Sequence, residues 1–256
     1  MKRIYAILMA ALLLLPACTK EIRTETLQLK EEIPFHEGSP NSLELLVDID
    51  FPVAGFPKAA LEEVRRTIRT HTFNDSYADF TGSLEEMGKH WCDAIAEDYR
   101  ITSQSLLEDL EMSEDDAPFL NWGCERNGAF GEAYGHYINY MIDQYDYQGG
   151  AHGMYGTFPL VFDRKTGQAV SWETFAPGIS EEKMSELLTR HRFDNLMDVI
   201  NEDDLDMDNI FFSETIEPGS WFVVGEKGLD FYYQPYDIAP YVFGVITIPV
   251  PWEDLK

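Results

Sequence analysis

The stretch from Tyr145 to Gly153 constrains the fold most, because three glycines and a histidine there interrupt a strand-like run. Glycine pairs mark places where the backbone takes positive φ or approaches another group closely. The stretch therefore predicts a turn or bulge, which we interpret as the seam between two halves of one module. We call the following residues the hinge: Tyr145, Tyr147, Gly149, Gly150 and His152.

Hydrophobic periodicity on both sides of the hinge predicts strands with helices between them. Strands are predicted at Leu27–Ile33, Leu43–Phe51, Gly131–Tyr147, Met154–Phe162, Gln168–Val170, Trp221–Val224, Leu229–Tyr233 and Val245–Val250. Helices are predicted through Leu61, Val64 and Ile68, from the capping box at Ser83 to about Leu110, and from Ser180 onward. Neighbouring hairpins without βαβ alternation favour an α+β fold, with helices packed on a mainly antiparallel sheet. We expect two closely joined halves, residues 27–153 and 154–256.

The first residues have the features of a bacterial export signal. Lys2 and Arg3 precede an apolar run, Ile4–Leu15, that is too short for a permanent membrane span. The sequence Leu15–Cys18 then matches the site at which lipoproteins are cleaved and lipidated. We expect a signal peptide over residues 1–17, lipid on Cys18 and a polar tether over residues 18–26; the alternative is an ordinary leader with an incidental cysteine.

Charge and cysteine content limit the partners and the compartment. The formal net charge of −27 disfavours nucleic acid and favours cationic partners. An exported lipoprotein lies in the cell envelope, and Thr19, rather than an aspartate, after Cys18 permits the outer membrane of a Gram-negative host. There Cys92 and Cys124 either form a disulfide or stay as buried free thiols, and their even number favours the disulfide.

Three segments together resemble one known pattern. They are Tyr145–His152, Phe162–Gly167 and Gly228–Tyr241. This pattern is similar to the extracellular domain of lysozyme-sensing anti-sigma factors, a module also found in bacterial lipoproteins of unknown function. The N-terminal half is similar to the accessory domain of some peptidoglycan deacetylases. Only Met1, Lys2 and Arg3 precede the apolar run, so we expect no sigma-factor-binding segment here.

The resemblance implies a binding module that contacts lysozyme, a basic protein, through its C-terminal region. Two prolines end a strand in Gln234–Tyr241, and tyrosine supplies large contact area at interfaces. The alternative is a rigid loop that only covers the sheet edge. The residues we expect to contact the partner are Tyr233, Pro235, Tyr236, Asp237 and Tyr241.

Motifs for catalysis or metal binding are weak. The six histidines never show the three-to-five-residue spacing of short metal motifs, so we expect no metal, no cofactor and a structural role for His152. A glycosidase pair of Asp143 or Asp146 with Asp237 is conceivable only because carboxylates are abundant. The segment Asp204–Asn209 mimics the start of a calcium loop but lacks its glycine and its glutamate, which favours a solvated acidic loop.

Three functions remain open. The first is a lipid-anchored envelope protein that acts without catalysis and binds lysozyme-like proteins or cell-wall material. The second is an envelope enzyme that acts on peptidoglycan or glycans through carboxylates. The third is a structural envelope lipoprotein whose aromatic face contacts another envelope protein.

Overall fold

The computed structural model describes residues 21–196 and 210–256. The predicted signal peptide, Cys18 and the acidic segment Asp204–Asn209 lie outside the described residues. The strands are β1 Arg23–Pro34, β2 Ser42–Ala54, β3 Trp122–Tyr134, β4 Tyr137–Tyr147, β5 Met154–Thr157, β6 Leu160–Asp163, β7 Phe222–Val224, β8 Gly228–Tyr233 and β9 Ile246–Pro251. The helices are α1 Lys58–Phe73, α2 Leu84–Leu110 and α3 Glu181–His191.

The strands form two sheets, which confirms the predicted α+β class. The first sheet has the order β1-β2-β3-β4-β5, and β6 also pairs with β4; the second has the order β7-β8-β9. All pairs are antiparallel except β2 with β3. That parallel pair was not predicted, and it needs the long crossover that α1 and α2 supply.

The helices form where apolar periodicity and capping agree. In α1 the residues Ala60, Val64 and Ile68 recur every four positions and are buried. At the start of α2, Ser83 Oγ accepts the Glu86 N–H and the Glu86 carboxylate accepts the Ser83 N–H, as predicted.

Each sheet has its own hydrophobic core. The first core lies between the first sheet and helices α1 and α2, with Leu45, Ile49 and Tyr140 fully buried. The second lies between β7–β9 and α3, with Leu188 and Phe231 fully buried. The first sheet extends to Asp163, ten residues beyond the predicted junction of the two halves at residues 153 and 154.

Four predicted elements differ from the structure. The strand predicted over Gln168–Val170 is only an isolated bridge between Ala169 and Phe162. The single strand predicted over Gly131–Tyr147 is two strands, because Gly135 takes a φ of 62° and reverses the chain between Tyr134 and Tyr137. The strand predicted over Met154–Phe162 is interrupted at Pro159, which has no N–H to donate. The predicted tether is shorter, because Arg23–Thr26 already pair in β1.

Candidate functional site

The hinge is the loop of a β-hairpin, so of the predicted turn or bulge the structure has the turn. Strands β4 and β5 pair antiparallel on either side of it, with Tyr145 opposite Tyr155. Within the loop, Gly149 and Gly150 have φ values of 86° and 98°, which residues with a Cβ rarely adopt. The conformation of the loop therefore accounts for Gly149 and Gly150. The loop ends at Gly153, where the backbone is tightly packed.

Close packing at Gly153 fixes where the hinge aromatics lie. A Cβ on Gly153 would lie 2.4 Å from a ring carbon of Tyr145, so the ring lies directly on the backbone. Tyr147 contributes differently, since its hydroxyl donates to the Gly150 carbonyl at 3.1 Å. Both tyrosines thus stabilise the loop from within.

The segment that follows β8 is a compact turn with an unusual backbone. Asp237 Oδ2 accepts the Gln234 N–H at 2.7 Å, and the Asp237 N–H donates to the Gln234 carbonyl at 2.9 Å. Inside this turn Tyr236 has a φ of 73°, in the left-handed region that costs a non-glycine residue about 1–2 kcal/mol. A strained tyrosine persists only where its surroundings over-determine it.

The side chain of Gln234 fastens this turn to the hinge hairpin. Its amide Nε2 donates to the Thr157 carbonyl at 2.6 Å, and its Oε1 accepts the Thr157 N–H at 2.8 Å. One side chain thus satisfies both backbone groups of Thr157 in β5, as a neighbouring strand would. The hinge and the predicted contact segment, 77 residues apart at this bond, lie side by side.

Three tyrosines and a histidine meet where the two segments join. The His152 ring stacks on Tyr241 at 3.9 Å between centroids, while Tyr155 and Tyr236 each lie 5.6 Å from Tyr241. We call His152, Tyr155, Tyr236 and Tyr241 the tyrosine face. Tyr236 is 50% exposed and Tyr155 39% exposed, so the face is open to solvent.

Internal bonds hold the centre of the tyrosine face. The Tyr241 hydroxyl donates to the Gly153 carbonyl at 2.7 Å, and His152 Nδ1 lies 3.0 Å from the same oxygen. Burial and the neighbouring tyrosines raise the pKa of Tyr241 above its ordinary value. Tyr241 therefore stays a neutral donor at physiological pH.

Two of the five predicted contact residues are not at the surface. Tyr233 is buried and its hydroxyl donates to the Glu217 carbonyl, and Pro235 is also buried. In the structure these two side chains are therefore not accessible to a partner, and Tyr233 faces the second core from β8. Tyr236, Asp237 and Tyr241 remain accessible.

Sequence reasoning did not identify Tyr155 as a contact residue. It follows the glycine-rich loop directly, and its pairing with Tyr145 across the hairpin puts it beside Tyr241. The available signal was the predicted turn: pairing the strands on either side of it as a hairpin would have placed Tyr155 opposite Tyr145. Exposed Met154 and Val242 adjoin the face in sequence.

The two cysteines are free and buried, so the disulfide that their even number favoured is not present in the structure. Cys124 Sγ donates to Asp146 Oδ1 at 3.0 Å. Burial raises the pKa of Cys92 to about 11 and that of Cys124 to about 12. Both thiols are therefore protonated at neutral pH and poorly reactive.

The carboxylates of the hypothetical glycosidase pair are held by internal bonds. Asp143 accepts from Thr157 Oγ1 at 2.6 Å, Asp146 is paired with Arg126 at 2.9 Å, and Asp237 closes its own turn. Within residues 21–196 and 210–256, no three histidine, cysteine or acidic side chains converge as a metal site would require. None of the helices described in the structure is long and apolar enough to cross a membrane.

Comparison with known proteins gives a similarity to one family model over the C-terminal part and a shared fold over nearly the whole chain. A family model described as a protein of unknown function, DUF3298, matches residues 175–253, a region that includes α3 and all of the second sheet. None of the curated proteins matches the chain. The matched region includes Tyr236 and Tyr241, while His152 and Tyr155 lie before it.

Two solved structures share the fold. A DUF3298 family member from Bacteroides fragilis aligns over 92% of each chain with a TM-score of 0.79 and 21% identity. A DUF3298 family protein from Pseudomonas aeruginosa covers 93% of this chain and 94% of its own, with a TM-score of 0.60 and 16% identity. These comparisons give nothing on anti-sigma factors or deacetylases, so that resemblance stays a prediction.

Proposed function

We propose that the protein is a lipid-anchored component of the bacterial cell envelope that binds a basic protein such as lysozyme, without catalysis, through the tyrosine face. The observation that carries the proposal is an exposed aromatic cluster built jointly by two distant segments. The lipid anchor follows from the cysteine motif of the first residues.

The chemistry of the tyrosine face suits a protein interface. Tyrosine is among the residues that supply most of the binding energy at interfaces, because its ring buries large area and its hydroxyl remains satisfied. Here Tyr236 and Tyr155 present their rings to solvent around Tyr241. A partner that covers them gains contact area without burying an unpaired hydroxyl of Tyr241, which is already bonded to the Gly153 carbonyl.

The rigidity of the segment Gln234–Tyr241 favours a role in binding over a role that is limited to covering the sheet edge. The Gln234 amide and the Asp237 turn fix the segment before any partner arrives. A preformed surface loses little conformational freedom on association, so more of the contact energy appears as affinity.

Net charge selects the kind of partner. With a formal charge of −27, the chain attracts cationic proteins and repels anionic ones over several ångströms. Asp237 is exposed at the edge of the tyrosine face and offers a carboxylate to a lysine or arginine of the partner. Electrostatic attraction of this kind raises the association rate and is screened by salt.

Calorimetric titration with hen egg-white lysozyme tests the proposal. We expect binding at about 50 mM salt that weakens steeply at about 500 mM, where the Debye length is only a few ångströms. Replacement of Tyr155 and Tyr236 by alanine should raise the Kd at least about tenfold, as for interface hot spots.

The matched control is Ile101→Ala, which removes an exposed apolar side chain, 61% accessible, from helix α2. It should leave the Kd unchanged. Absence of binding at low salt would reject the basic partner, and equal losses in the control would reject the tyrosine face. Release of soluble fragments from purified peptidoglycan would replace the proposal with the envelope enzyme.

A further inference from the structure

A second site lies at the seam between the two cores, away from the tyrosine face. A cavity of about 450 Å³ opens there, bounded by the end of α1, strand β6, the residues before α3 and the segment that leads into β7. Small-molecule sites commonly span about 300–1,000 Å³ and form where two structural units meet. The cavity is therefore large enough for a small ligand.

Two tryptophans, one from each core, line the cavity. Trp221 packs against the first core, and its ring meets His71 edge-on at 5.6 Å between centroids. Trp172 belongs to the second core and is only 6% exposed. Flat aromatic rings in a cleft suit a ligand that itself has a flat apolar face.

The polar groups of the cavity lack internal partners. Glu173, Glu181, Ser171 and Ser220 are exposed at its mouth, and among the described residues none donates to or accepts from their side chains. The indole N–H of Trp172 likewise has no partner there, although the side chain is more than nine-tenths buried. It is not among the polar atoms that the protein fully encloses without a partner, so it borders accessible space. Buried donors are normally paired, and one that borders accessible space takes its partner from outside the protein, either water or a ligand that displaces it.

His71 adds a neutral imidazole to this set. Burial in the cleft lowers its pKa although much of the ring can be reached by water. The ring therefore offers one donor and one acceptor at neutral pH.

The donor and acceptor pattern defines the ligand class. Two carboxylates and no lysine or arginine in the lining exclude an anion. An ammonium or guanidinium group has donors only, so it would leave the Trp172 N–H unpaired. A hydroxyl group donates to Glu173 or Glu181 and accepts from Trp172 or a serine. We propose that this cavity binds a neutral sugar, with its ring against the partly exposed Trp221 and its hydroxyl groups bonded to the Trp172 N–H and the two glutamates.

A cationic ligand is the strongest competitor, because the cavity shares Glu181 with a neighbouring groove that also contains Glu182, Glu186 and Glu217. The test therefore uses four probes by ligand-observed NMR and calorimetry. They are the N-acetylglucosamine disaccharide, cellobiose, putrescine as the cation and glucuronate as the anion. We expect saturable binding of at least one neutral disaccharide below about 10 mM, roughly 3 kcal/mol, and none of putrescine or glucuronate.

Two conservative variants test whether the sugar binds in this cavity. Trp172→Phe keeps a ring and removes only the N–H, and Glu173→Gln keeps the shape of an exposed side chain whose replacement cannot unfold the protein. Each should raise the sugar Kd about tenfold, the effect of one lost hydrogen bond. The control Trp252→Phe, whose indole N–H donates to the Gly225 carbonyl at 3.0 Å, should not change the Kd.

Several outcomes would overturn this proposal: no sugar binding by the native protein, preferential binding of putrescine, or sugar affinity unchanged in both variants. The proposal does not rest on the tyrosine face. The alanine variant of Tyr155 and Tyr236 should bind sugar normally, and the Trp172 and Glu173 variants should bind lysozyme normally, so the two proposals succeed or fail separately.

Discussion

At the scale of single residues, Tyr236 combines two properties that seldom occur together. Its ring is half exposed, and its backbone is in the left-handed region with a φ of 73°. Glycine or asparagine would fit that backbone at lower cost. Retention of a tyrosine there is expected where the ring is needed for something other than stability.

Replacement of Tyr236 by glycine should therefore raise the free energy of unfolding by about 1 kcal/mol while it abolishes the contribution of the ring to lysozyme binding. Replacement by alanine removes the ring but keeps the backbone strain, so its unfolding free energy should stay near that of the native protein. Urea denaturation measures the first quantity and calorimetry the second. A glycine variant no more stable than the alanine variant would contradict the strain argument.

The cysteines show what residue-level reasoning from sequence lacks. Cysteine number and an exported location favour a disulfide, but neither says where the sulfur atoms point. In the structure Cys124 lies in β3 opposite Asp146, and its thiol bonds to that carboxylate. The antiparallel register of β3 with β4, which the cysteine count does not give, decides this contact.

At the scale of elements, strand β4 contains a buried polar residue that the alternating apolar pattern of the strand does not predict. The pattern of Ile138, Tyr140 and Ile142 predicts that the residues between them face solvent. Asn139 is nevertheless buried, because the second sheet covers this face. Its amide donates to the Val224 carbonyl at 2.9 Å and accepts the Val224 N–H at 3.1 Å. One side chain thus joins β4 to β7.

Asn139→Ala should lower the free energy of unfolding by about 2–4 kcal/mol, because it leaves both backbone groups of Val224 buried without partners. Asn139→Asp keeps an acceptor for the Val224 N–H but loses the donors, so it should also be strongly destabilising. The control Asn127→Ala, on the exposed side of β3, should change stability by less than about 0.5 kcal/mol. Chemical denaturation of the three variants measures this, and a small effect of Asn139→Ala would show that the link is not needed.

The end of helix α3 is fixed by a histidine between two carboxylates. His191 lies 2.6 Å from Asp194 through Nδ1 and 2.8 Å from Asp254 through Nε2, and Arg190 also faces Asp254 at 3.4 Å. Burial opposes the charged imidazole, but the two carboxylates outweigh burial and raise the pKa of His191. The contact holds α3 to the residues that follow β9.

Because the folded pKa is raised, this contact should stabilise the protein fully below the unfolded value of about 6.5 and lose its effect as pH rises through the folded pKa. The difference in unfolding free energy between the native protein and His191→Asn should therefore shrink as the pH rises above about 6.5. His71→Asn is a control of opposite sign, since burial lowers the pKa of His71. A His191 difference that grows with pH would contradict the argument.

At the scale of the whole molecule, the sequence predicted the class of the fold and most of its elements, while the arrangement of the sheets required the structure. Capping at Ser83 and periodicity in α1 are local signals, and both helices lie where expected. The parallel pairing of β2 with β3 joins strands on either side of two helices, and no local pattern encodes it.

The same limit applies to the two sites. The sequence predicted partner contacts in the segment Gln234–Tyr241 and interpreted the hinge only as the seam between two halves. In the structure Gln234 joins this segment to the hinge hairpin, so both contribute to one face. The cavity between the cores was not predicted at all. Its lining comes from five separate stretches, and none of them contains a motif that points to a ligand.

The early start of β1 has a consequence for how the protein meets a membrane. If Cys18 carries lipid, five peptide steps separate the anchor from Arg23, which is already paired in the sheet. A segment of this length spans at most roughly 18 Å, which is less than the hydrocarbon thickness of a bilayer. The acidic domain is repelled by anionic headgroups, while this short segment keeps it close to them. The domain would therefore stay within a narrow range of distances from the lipid surface, and its ligands would have to diffuse to that surface.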